Sequence, residues 1–474
     1  MEHKELKKEL DADLRNKLTF PRILLETARQ NKKVNKKDIQ RAIRNLRQAS
    51  CLVEKWFRPP RVVITGRGVV APNGIGQQAF SDALSQGRSG IGQIQAFDSS
   101  KYPTRYAGEV KGFKADEYLD PKKARRLDRF AQFGLVSAKM AIEDAGLDLN
   151  RIDKSRVGVL MGSAVGGQGW AFDQFLILQA HGYKKLNPFT TASTFPNALS
   201  TSISLEFGFT GISETISTGC ASSSIAMGHA FDLIRSGSLD VAVAGGAEAL
   251  IQEPIFASFC RSRVLSELNA FDENHILSPR PFDLKRDGTL LGEGAGVLIL
   301  ESYDHALARN APIYGEVLSW FSNCDAFHPI AHDASGFVLA RCITEAVKQA
   351  GLQLSDIDYI KAHGVGDKDL DLAETRAYKL AFGGIAQKIP LSSVKSMIGH
   401  TQGASGAIEM VALVLSLDSS TIYPTINYQE PDPECDLNYT PNRSVRLDHY
   451  NHALHVITGF GGKNACIVIG RHNV

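Results

Sequence analysis

Short apolar runs alternate with longer amphipathic segments from residue 61 onward, and this alternation is the main structural signal in the sequence. In the first half, runs rich in Val, Ile, Ala and Gly predict buried strands at residues 61–66, 157–162, 240–246 and 294–300. Apolar positions at helical spacing predict helices over residues 131–145 and 222–236. Continuous apolar strands that alternate with helices are typical of an α/β protein whose sheet is covered on both faces.

The second half repeats this order in a looser form. Strands are predicted at residues 313–318, 357–362, 455–459 and 465–470, and helices over residues 338–350 and 403–417. Each half ends in a pair of strands, which predicts a duplicated, layered architecture. No direct sequence repeat accompanies it, so the duplication rests on the order of the elements alone.

Residues 1–57 differ from the rest of the chain because they are highly charged and contain no glycine. Asn35 followed by Asp38 has the pattern of a helix N-cap, and apolar residues at helical spacing follow it as far as Phe57. An earlier helix is predicted over residues 10–18. We therefore expect a helical N-terminal extension that either packs on its own protein or docks a partner protein. Interleaved acidic residues make nucleic acid a poor partner for it.

Length and composition narrow the class of protein without deciding its chemistry. The 474 residues allow two or three domain-sized units, and 43% hydrophobic with 22% charged residues is ordinary for a globular protein. The formal net charge of +2 gives no reason to expect nucleic-acid binding. Neither a membrane span nor a secretory hydrophobic region is visible, so we expect a cytoplasmic protein. Seven scattered cysteines without a CxxC pair predict free thiols rather than disulfides or a zinc site.

One cysteine and two histidines stand where reactive side chains are often presented. Cys220 lies between an apolar run and a predicted helix, where backbone N–H groups and the helix dipole are expected to stabilise its thiolate. His363 and His400 each lie beside a glycine that lets a ligand approach the backbone closely. A thiol with two imidazoles suggests acyl-transfer chemistry with a stabilised anion. The alternative for each is a buried packing residue.

Three more residues extend this candidate site. Lys395 and Glu409 flank His400 in sequence, so they either set the charge and tautomer of an imidazole or form a surface ion pair. Phe460 lies in the segment GFGG, a predicted turn whose N–H groups suit an oxyanion and whose ring suits a gate. A plain hairpin turn is the alternative.

Together these segments resemble the motifs of the β-ketoacyl synthases, including the polyketide ketosynthases. The matching segments are residues 218–223 (TGCASS), 362–364 (AHG), 395–400 (KSMIGH) and 459–462 (GFGG), with further similarity at 61–66, 280–283 and 286–288. The resemblance covers about residues 60–472 and is to the elongating Cys-His-His type, because the initiating type carries asparagine at the position of His400.

The resemblance implies a fold and an assembly. The fold is α/β and thiolase-like, with five αβαβα layers built from two halves, here residues 58–308 and 309–474, after the helical extension at residues 1–57. A homodimer is expected, although a heterodimer is possible. The implied partner is an acyl carrier protein, and neither a metal nor an organic cofactor is implied.

The resemblance also implies a reaction, the decarboxylative Claisen condensation. Cys220 would accept the acyl chain from the carrier, and His363 and His400 would bind the thioester oxygen of a malonyl-type extender. Backbone N–H groups of Cys220 and Phe460 would form the oxyanion hole, with Phe460 gating the acyl pocket. The supporting charges around His363 would come from Lys395, Glu374 and Glu409.

The loop after the first histidine departs from the family pattern. It reads HGVGD, whereas threonines that hydrogen-bond the pantetheine arm of the carrier are usual where this chain has Val365 and Asp367. Val365 cannot make such a bond and an ionised Asp367 only accepts, so the usual extender or its pose is put in question. Lys463 replaces a further common threonine, and we expect an ion pair between Lys463 and Asp367 to reconcile both changes.

Three other functions are compatible with parts of the sequence. A malonyl-carrier decarboxylase or acyltransferase that joins no chains usually lacks the cysteine, as does a non-catalytic partner subunit of a ketosynthase heterodimer. Thiolase-type cleavage would require a second active cysteine. Cys466 is a poor candidate for it, because it lies far from any such motif. The retained Cys220 favours a condensing enzyme, and the departures favour polyketide or specialised fatty-acid biosynthesis.

Overall fold

The computed structural model describes residues 17–19, 21–22, 36–57, 59–267, 271–272, 275–276 and 278–472. The chain divides into two units, Met1–Pro60 and Arg61–Val474. In the first unit, helix α1 (Lys36–Phe57) begins directly after Asn35, where the capping pattern predicts it, and Asp38 lies in its first turn. The helix predicted over residues 10–18 falls largely outside the described residues, so it stays a prediction.

The second unit is a mixed α/β structure. Its α-helices are α2 (Gln77–Ser85), α3 (Pro121–Ala124), α4 (Arg129–Asp144), α5 (Gln168–His181), α6 (Thr190–Thr194), α7 (Ala198–Phe207), α8 (Ser222–Arg235), α9 (Glu253–Arg261), α10 (Tyr303–Ala308), α11 (Phe337–Gln349), α12 (Lys368–Phe382), α13 (Lys395–Ile398) and α14 (Ser405–Ser419). Its strands are β1 (Val62–Ala71), β2 (Gly74–Ile75), β3 (Gly92–Gln93), β4 (Tyr106–Ala107), β5 (Val157–Gly162), β6 (Ser213–Ile216), β7 (Val241–Glu248), β8 (Phe271–Asp272), β9 (His275–Ile276), β10 (Gly294–Ser302), β11 (Gly315–Cys324), β12 (Tyr359–Lys361), β13 (Leu391–Ser392), β14 (Thr421–Ile422), β15 (Val445–Arg446), β16 (His452–Gly459) and β17 (Lys463–Gly470).

The two halves of the main sheet share one topology. The first half runs β1-β10-β7-β5-β6, and its neighbouring strands pair antiparallel, antiparallel, parallel and parallel in that order. The second half runs β11-β17-β16-β12-β13 with the same sequence of pairings. A short antiparallel pairing of β1 with β11 joins them. The duplication inferred from the order of elements is therefore present in the strand pairing itself.

Two helices lie between the half-sheets and form the middle of the five layers. Helix α8 packs on β5 and β7, while α14 packs on β7, β10 and β16 and also contacts α8. Small residues allow this close approach, since a Cβ added at Gly406 would lie 2.0 Å from Ser224 Oγ. Helices α4 and α11 cover the outer faces of the first and second half-sheets. The thiolase-like fold implied by the sequence is confirmed.

The elements predicted in the second unit are all present, with shifted ends. The strand predicted at residues 61–66 continues to Ala71, and the helix predicted over 403–417 spans Ser405–Ser419. Sequence periodicity places buried elements well because their apolar positions face one core, whereas ends depend on local caps. None of the helices in the described residues has both the length and the apolar character needed to cross a bilayer.

Candidate active site

The three candidate reactive residues meet in one cavity of about 270 Å³. Cys220 precedes the middle helix α8, His363 follows strand β12, and His400 follows the short helix α13. The rings of His363 and His400 lie 5.4 Å apart between centroids and are nearly perpendicular, at 86°. Phe460, from the end of β16, lines the same cavity. Residues separated by up to 240 positions are thus brought to one site by the duplicated sheet.

Cys220 rests as a thiol at neutral pH, because burial outweighs the backbone N–H groups that are expected to stabilise its thiolate. Burial raises the pKa of Cys220 to about 11, although the backbone N–H groups of Phe460 and Cys220 and the charge of Lys395 act in the opposite direction. Only 3% of the residue is exposed, so the loss of hydration outweighs the favourable dipoles. An attacking thiolate therefore requires a nearby proton acceptor.

A chain of hydrogen bonds supplies that acceptor. His400 Nε2 lies 3.1 Å from Cys220 Sγ, and His400 Nδ1 lies 2.9 Å from Ser405 Oγ, which in turn lies 3.1 Å from Thr401 Oγ1. Gln402 Oε1 lies 3.0 Å from Cys220 Sγ and accepts the single thiol proton when His400 Nε2 is itself protonated. Because both hydroxyls can donate and accept, the chain supports either neutral tautomer of His400. Burial and Lys395 lower the pKa of His400 to about 3, so its ring is neutral at rest.

His363 is held in a single tautomer by Lys395. The ammonium of Lys395 lies 3.3 Å from His363 Nδ1, donates to the His363 carbonyl at 2.7 Å, and donates to Glu409. An ammonium beside Nδ1 makes that nitrogen the acceptor, which leaves the proton on Nε2. Burial, Lys395 and His400 hold the pKa of His363 well below its ordinary value. The ring is therefore a neutral N–H donor.

The positive charge of Lys395 beside His363 is balanced by a buried carboxylate, Glu409. Glu409 accepts from Lys395 and lies 3.1 Å from His455 Nε2, and all three side chains are buried. Burial would raise the pKa of Glu409, but Lys395 and Lys361 outweigh it and lower that pKa to about 2. Burial lowers the pKa of Lys361 to about 8. The surface ion pair considered for Lys395 and Glu409 is wrong, because both lie in the interior.

The loop that carries His363 is fastened by two carboxylates on helix α12. Glu374 accepts the backbone N–H groups of His363 and Gly364, at 2.7 and 2.8 Å. Asp371, one turn earlier, accepts those of Val365 and Gly366, at 3.0 and 3.2 Å. Glu374 is therefore a buried carboxylate beside His363, as expected, and it acts on the backbone of the loop. Asp371 was not singled out from the sequence.

The altered residues of this loop have structural explanations. Asp367 caps helix α12, since its carboxylate accepts the backbone N–H groups of Asp369 and Leu370 at 3.0 and 2.9 Å. Lys463 pairs in register with Cys324 across strands β17 and β11, and its Nζ lies 3.5 Å from Cys324 Sγ. The expected ion pair between Lys463 and Asp367 is therefore wrong, because the two side chains have different partners. Val365 and Asp367 both line the cavity.

Phe460 stands where a gate and an oxyanion donor are expected. Its backbone N–H and that of Cys220 both act on the Cys220 sulfur. Gly459 lets the end of β16 lie close to Cys220, because a Cβ at this position would lie only 3.0 Å from the Cys220 backbone nitrogen. The Phe460 ring stacks on Phe259 with centroids 6.4 Å apart. Both N–H groups therefore act near the sulfur to which an acyl carbonyl would be attached, where oxyanion donors are expected.

The raised pKa of Cys220 makes its alkylation strongly pH-dependent. The rate of alkylation by iodoacetamide is expected to rise about tenfold per pH unit from neutral pH towards the pKa of about 11, because the thiolate is the reactive form. Mass spectrometry of the peptide that contains Cys220 measures the alkylation rate at each pH, and Cys220→Ala is the control for alkylation at other cysteines. A plateau near about pH 8.5, as for an ordinary thiol, would contradict the burial argument.

Sequence reasoning did not find every residue that contacts the reactive atoms. Gln402 and Ser405 follow His400 by two and five residues, yet nothing in their identity signals contact with Cys220 or the His400 ring. Their position depends on the turn between α13 and α14, where Gln402 has a φ of 45°. Within the described residues no group of three or more His, Cys, Asp or Glu could hold a metal ion.

Comparison with known proteins identifies the family. Models of the β-ketoacyl synthase N-terminal and C-terminal domains match residues 60–306 and 314–429. The chain belongs to the β-ketoacyl synthase family. Its members are acyltransferases that form carbon–carbon bonds, and the family divides this chain at the boundary between the two half-sheets.

The relatives of this β-ketoacyl synthase include proteins named as 3-oxoacyl-[acyl-carrier-protein] synthases and as polyketide β-ketoacyl synthases. The 3-oxoacyl-[acyl-carrier-protein] synthase 2 of Synechocystis is 40% identical over 87% of this chain and 98% of its own length. A putative polyketide β-ketoacyl synthase 1 of Streptomyces cyaneus is also 40% identical, over 86% of this chain and 97% of its own.

Solved structures give the same result. A ketosynthase described in complex with its type II polyketide acyl-carrier protein and bound to the hexaketide matches 88% of this chain and 100% of its own, with 35% identity and a TM-score of 0.80. The ishigamide ketosynthase/chain length factor matches 88% of this chain with 34% identity and a TM-score of 0.80.

Proposed function

We propose that this β-ketoacyl synthase condenses an acyl chain on Cys220 with a malonyl-type thioester on an acyl carrier protein, in polyketide or specialised fatty-acid biosynthesis. The observation that carries the proposal is the shared cavity, in which the Cys220 thiol, a neutral His400 at 3.1 Å and a neutral His363 N–H donor come together. This set supplies a nucleophile, a proton acceptor and two donors for a developing anion.

In the first step Cys220 is acylated. The thiol gives its proton to His400 Nε2, which is the acceptor when Nδ1–H donates to Ser405. The sulfur then attacks the carbonyl of the carrier-bound acyl thioester, and the backbone N–H groups of Cys220 and Phe460 stabilise the tetrahedral oxyanion. When the intermediate collapses, the carrier sulfur leaves and takes the proton from His400.

In the second step His400 changes tautomer by exchange with water: Nδ1 loses its proton, Nε2 gains one, and the hydroxyls of Ser405 and Thr401 reverse direction so that Ser405 donates to Nδ1. His400 is then an N–H donor like His363. Both rings bind the thioester oxygen of the extender. The carboxylate leaves as carbon dioxide, and its electron pair forms an enolate that the two N–H groups stabilise. The enolate carbon attacks the acyl carbonyl on Cys220, and the Cys220 sulfur leaves as a thiolate. This thiolate takes a proton from water, which neutralises the charge that the malonyl carboxylate brought in. This route uses neither a metal nor an organic cofactor.

The proposal also covers the oligomeric state of the protein and its location in the cell. A homodimer is supported by the exposed edge strand β6 and by exposed apolar side chains on nearby helices, such as Phe175, Leu176 and Leu205. A second, different subunit is the competing assembly, because one similar structure is described as a ketosynthase/chain length factor. A cytoplasmic location is supported by the six described cysteines, all of them free thiols.

Product analysis tests the proposed reaction. With an acyl carrier thioester and malonyl carrier, we expect one carbon dioxide per turnover and a 3-oxoacyl chain lengthened by the acetyl unit. Carbon dioxide release without lengthening would instead indicate the decarboxylase alternative, which the altered loop at Val365 and Asp367 keeps open. Release of neither product would favour a partner subunit.

A further inference from the structure

The charge of the chain is divided unevenly between its two units. Met1–Pro60 contains sixteen Lys and Arg against eight Asp and Glu, which is a formal charge of +8. The whole chain carries +2, so Arg61–Val474 carries −6. A charge asymmetry of this kind indicates an anionic surface as the partner of the basic unit. The proposed condensation uses no residue of that unit.

Helix α1 of the basic unit exposes a row of aliphatic side chains. Ile39, Ile43 and Leu46 are 46%, 45% and 47% exposed. Their spacing of four and then three residues places them on one face of the helix. In the sequence, Val53 and Phe57 continue the same spacing. We call Ile39, Ile43 and Leu46 the aliphatic row.

A neighbouring face of α1 is already packed. Ala42 and Ala49, two turns apart, are both buried. Small side chains at this spacing allow a close approach of other chain segments to the helix. Packing of the extension on its own protein, one of the two expectations from the sequence, therefore applies to the alanines. The aliphatic row lies beside them and stays about half exposed.

Basic side chains border the aliphatic row. Arg44 and Arg47 are exposed, and each follows a member of the row by one residue. Eight Lys and Arg and a single acidic residue, Asp38, lie within residues 29–49. An aliphatic face bordered by Lys and Arg is typical of a helix that lies in the interface of a bilayer. Its apolar side chains enter the acyl region there, and the long basic side chains reach the headgroups.

Charge and contact area decide between the possible partners of this face. A second copy of the chain would bring another unit of +8, which repels the first. Nucleic acid offers no apolar region for the aliphatic row. Three half-exposed side chains are a small contact for a stable protein interface, which buries about 800 Å² on each partner. A bilayer requires less apolar area, because each basic residue near an anionic surface strengthens binding about fivefold.

We propose that helix α1 binds the surface of an anionic lipid bilayer. The aliphatic row inserts between the lipids, and Arg44 and Arg47 bind the lipid phosphates. The helix lies parallel to the membrane plane, which agrees with the absence of a bilayer-spanning helix among the described residues. The synthase is then a peripheral membrane protein, whereas its condensation chemistry needs no membrane.

Vesicle sedimentation with the full-length protein tests this proposal. The vesicles contain phosphatidylcholine alone, or phosphatidylcholine with phosphatidylglycerol as about a third of the lipid. We expect the protein to sediment with the anionic vesicles only and to be released as the salt concentration rises. Arg44→Gln combined with Arg47→Gln is expected to weaken binding about 10- to 25-fold. Ile43→Ser combined with Leu46→Ser is expected to weaken it by at least about tenfold.

Matched control pairs carry the same kinds of change in the other unit. Arg151→Gln with Lys348→Gln removes two exposed charges, and Leu307→Ser with Leu380→Ser removes two exposed aliphatic side chains. We expect both pairs to keep vesicle binding within about twofold of the original protein. All four variants are expected to retain condensation with soluble carriers, so a folding defect would be recognised by its loss.

Three results would overturn the proposal. The first is a protein that stays in the supernatant with anionic vesicles at low salt. The second is an equal loss of binding in the α1 variants and in the control pairs. The third is a protein that ignores vesicles but whose α1 variants raise the KM for an acyl carrier protein, which would identify an acidic protein as the partner. Failure of the proposed condensation would leave vesicle binding unchanged, so the two proposals are tested separately.

Discussion

Replacing His363 with alanine is expected to slow condensation by about 10² to 10³ while leaving acylation of Cys220 nearly unchanged. Lys395 fixes His363 from the Nδ1 side, so that its ring presents a neutral Nε2–H to the cavity. The His363 ring contacts the His400 ring edge to face, but it is not hydrogen-bonded to Cys220 or His400. Its donor is needed only when the enolate forms. Single-turnover kinetics separate the steps, with acylation followed as carrier release and condensation as carbon dioxide release.

His400 provides the contrast for this prediction. Its Nε2 lies 3.1 Å from Cys220 Sγ, so His400→Ala is expected to slow both acylation and condensation. His449→Ala is a suitable control, because that histidine is exposed and lies outside the cavity. If His363→Ala slowed acylation as much as condensation, the division of work between the two imidazoles would be wrong.

Replacing Lys395 with methionine is expected to destabilise the protein by about 3 to 5 kcal/mol, because it leaves the buried Glu409 without its closest cation. Both side chains are fully buried, so water cannot hydrate the remaining carboxylate. Urea unfolding at neutral pH measures the effect as a lower midpoint at constant slope. Methionine keeps the length of the side chain and limits any packing loss.

Two further variants separate charge from packing at this pair. Lys395→Met combined with Glu409→Leu is expected to cost less than the sum of the two single changes, because the carboxylate that Lys395 neutralises is removed together with it. Lys348→Met, at a residue whose side chain is 74% exposed, is expected to change stability by no more than about 0.5 kcal/mol. Additive losses in the double variant would show that Lys395 and Glu409 act independently.

Much of the fold was predictable because its elements are strongly periodic. The strand at Val157–Gly162 and the helix at Ser222–Arg235 were predicted within one residue, since their apolar positions all face the core. The pairing of β1 with β11, which joins the half-sheets, was not predictable, because strand partners far apart in sequence leave no local signal. What the N-terminal extension does stays a prediction.

Site residues could be predicted where their reactive chemistry identified them. Properties that depend on burial or on strand register, such as a protonation state or a side-chain partner, could not be predicted. Cys220, His363 and His400 were singled out and lie in one cavity. Backbone N–H groups do favour the thiolate of Cys220 as expected, but the burial that outweighs them depends on the tertiary fold and could not be predicted. Asp367 could have been predicted as a helix cap from the helical pattern that follows it. Lys463 could not have been placed, since its partner is set by strand register.

The central claim is that Cys220 carries the acyl chain and passes it to a malonyl-derived enolate. Intact-protein mass spectrometry tests this most directly, after incubation with a series of acyl-carrier thioesters and then with malonyl carrier, with Cys220→Ala alongside. We predict an acyl adduct on the original protein only, discharged on malonyl addition as a lengthened chain on the carrier. An adduct equally present on Cys220→Ala, or no adduct with any donor, would contradict the account.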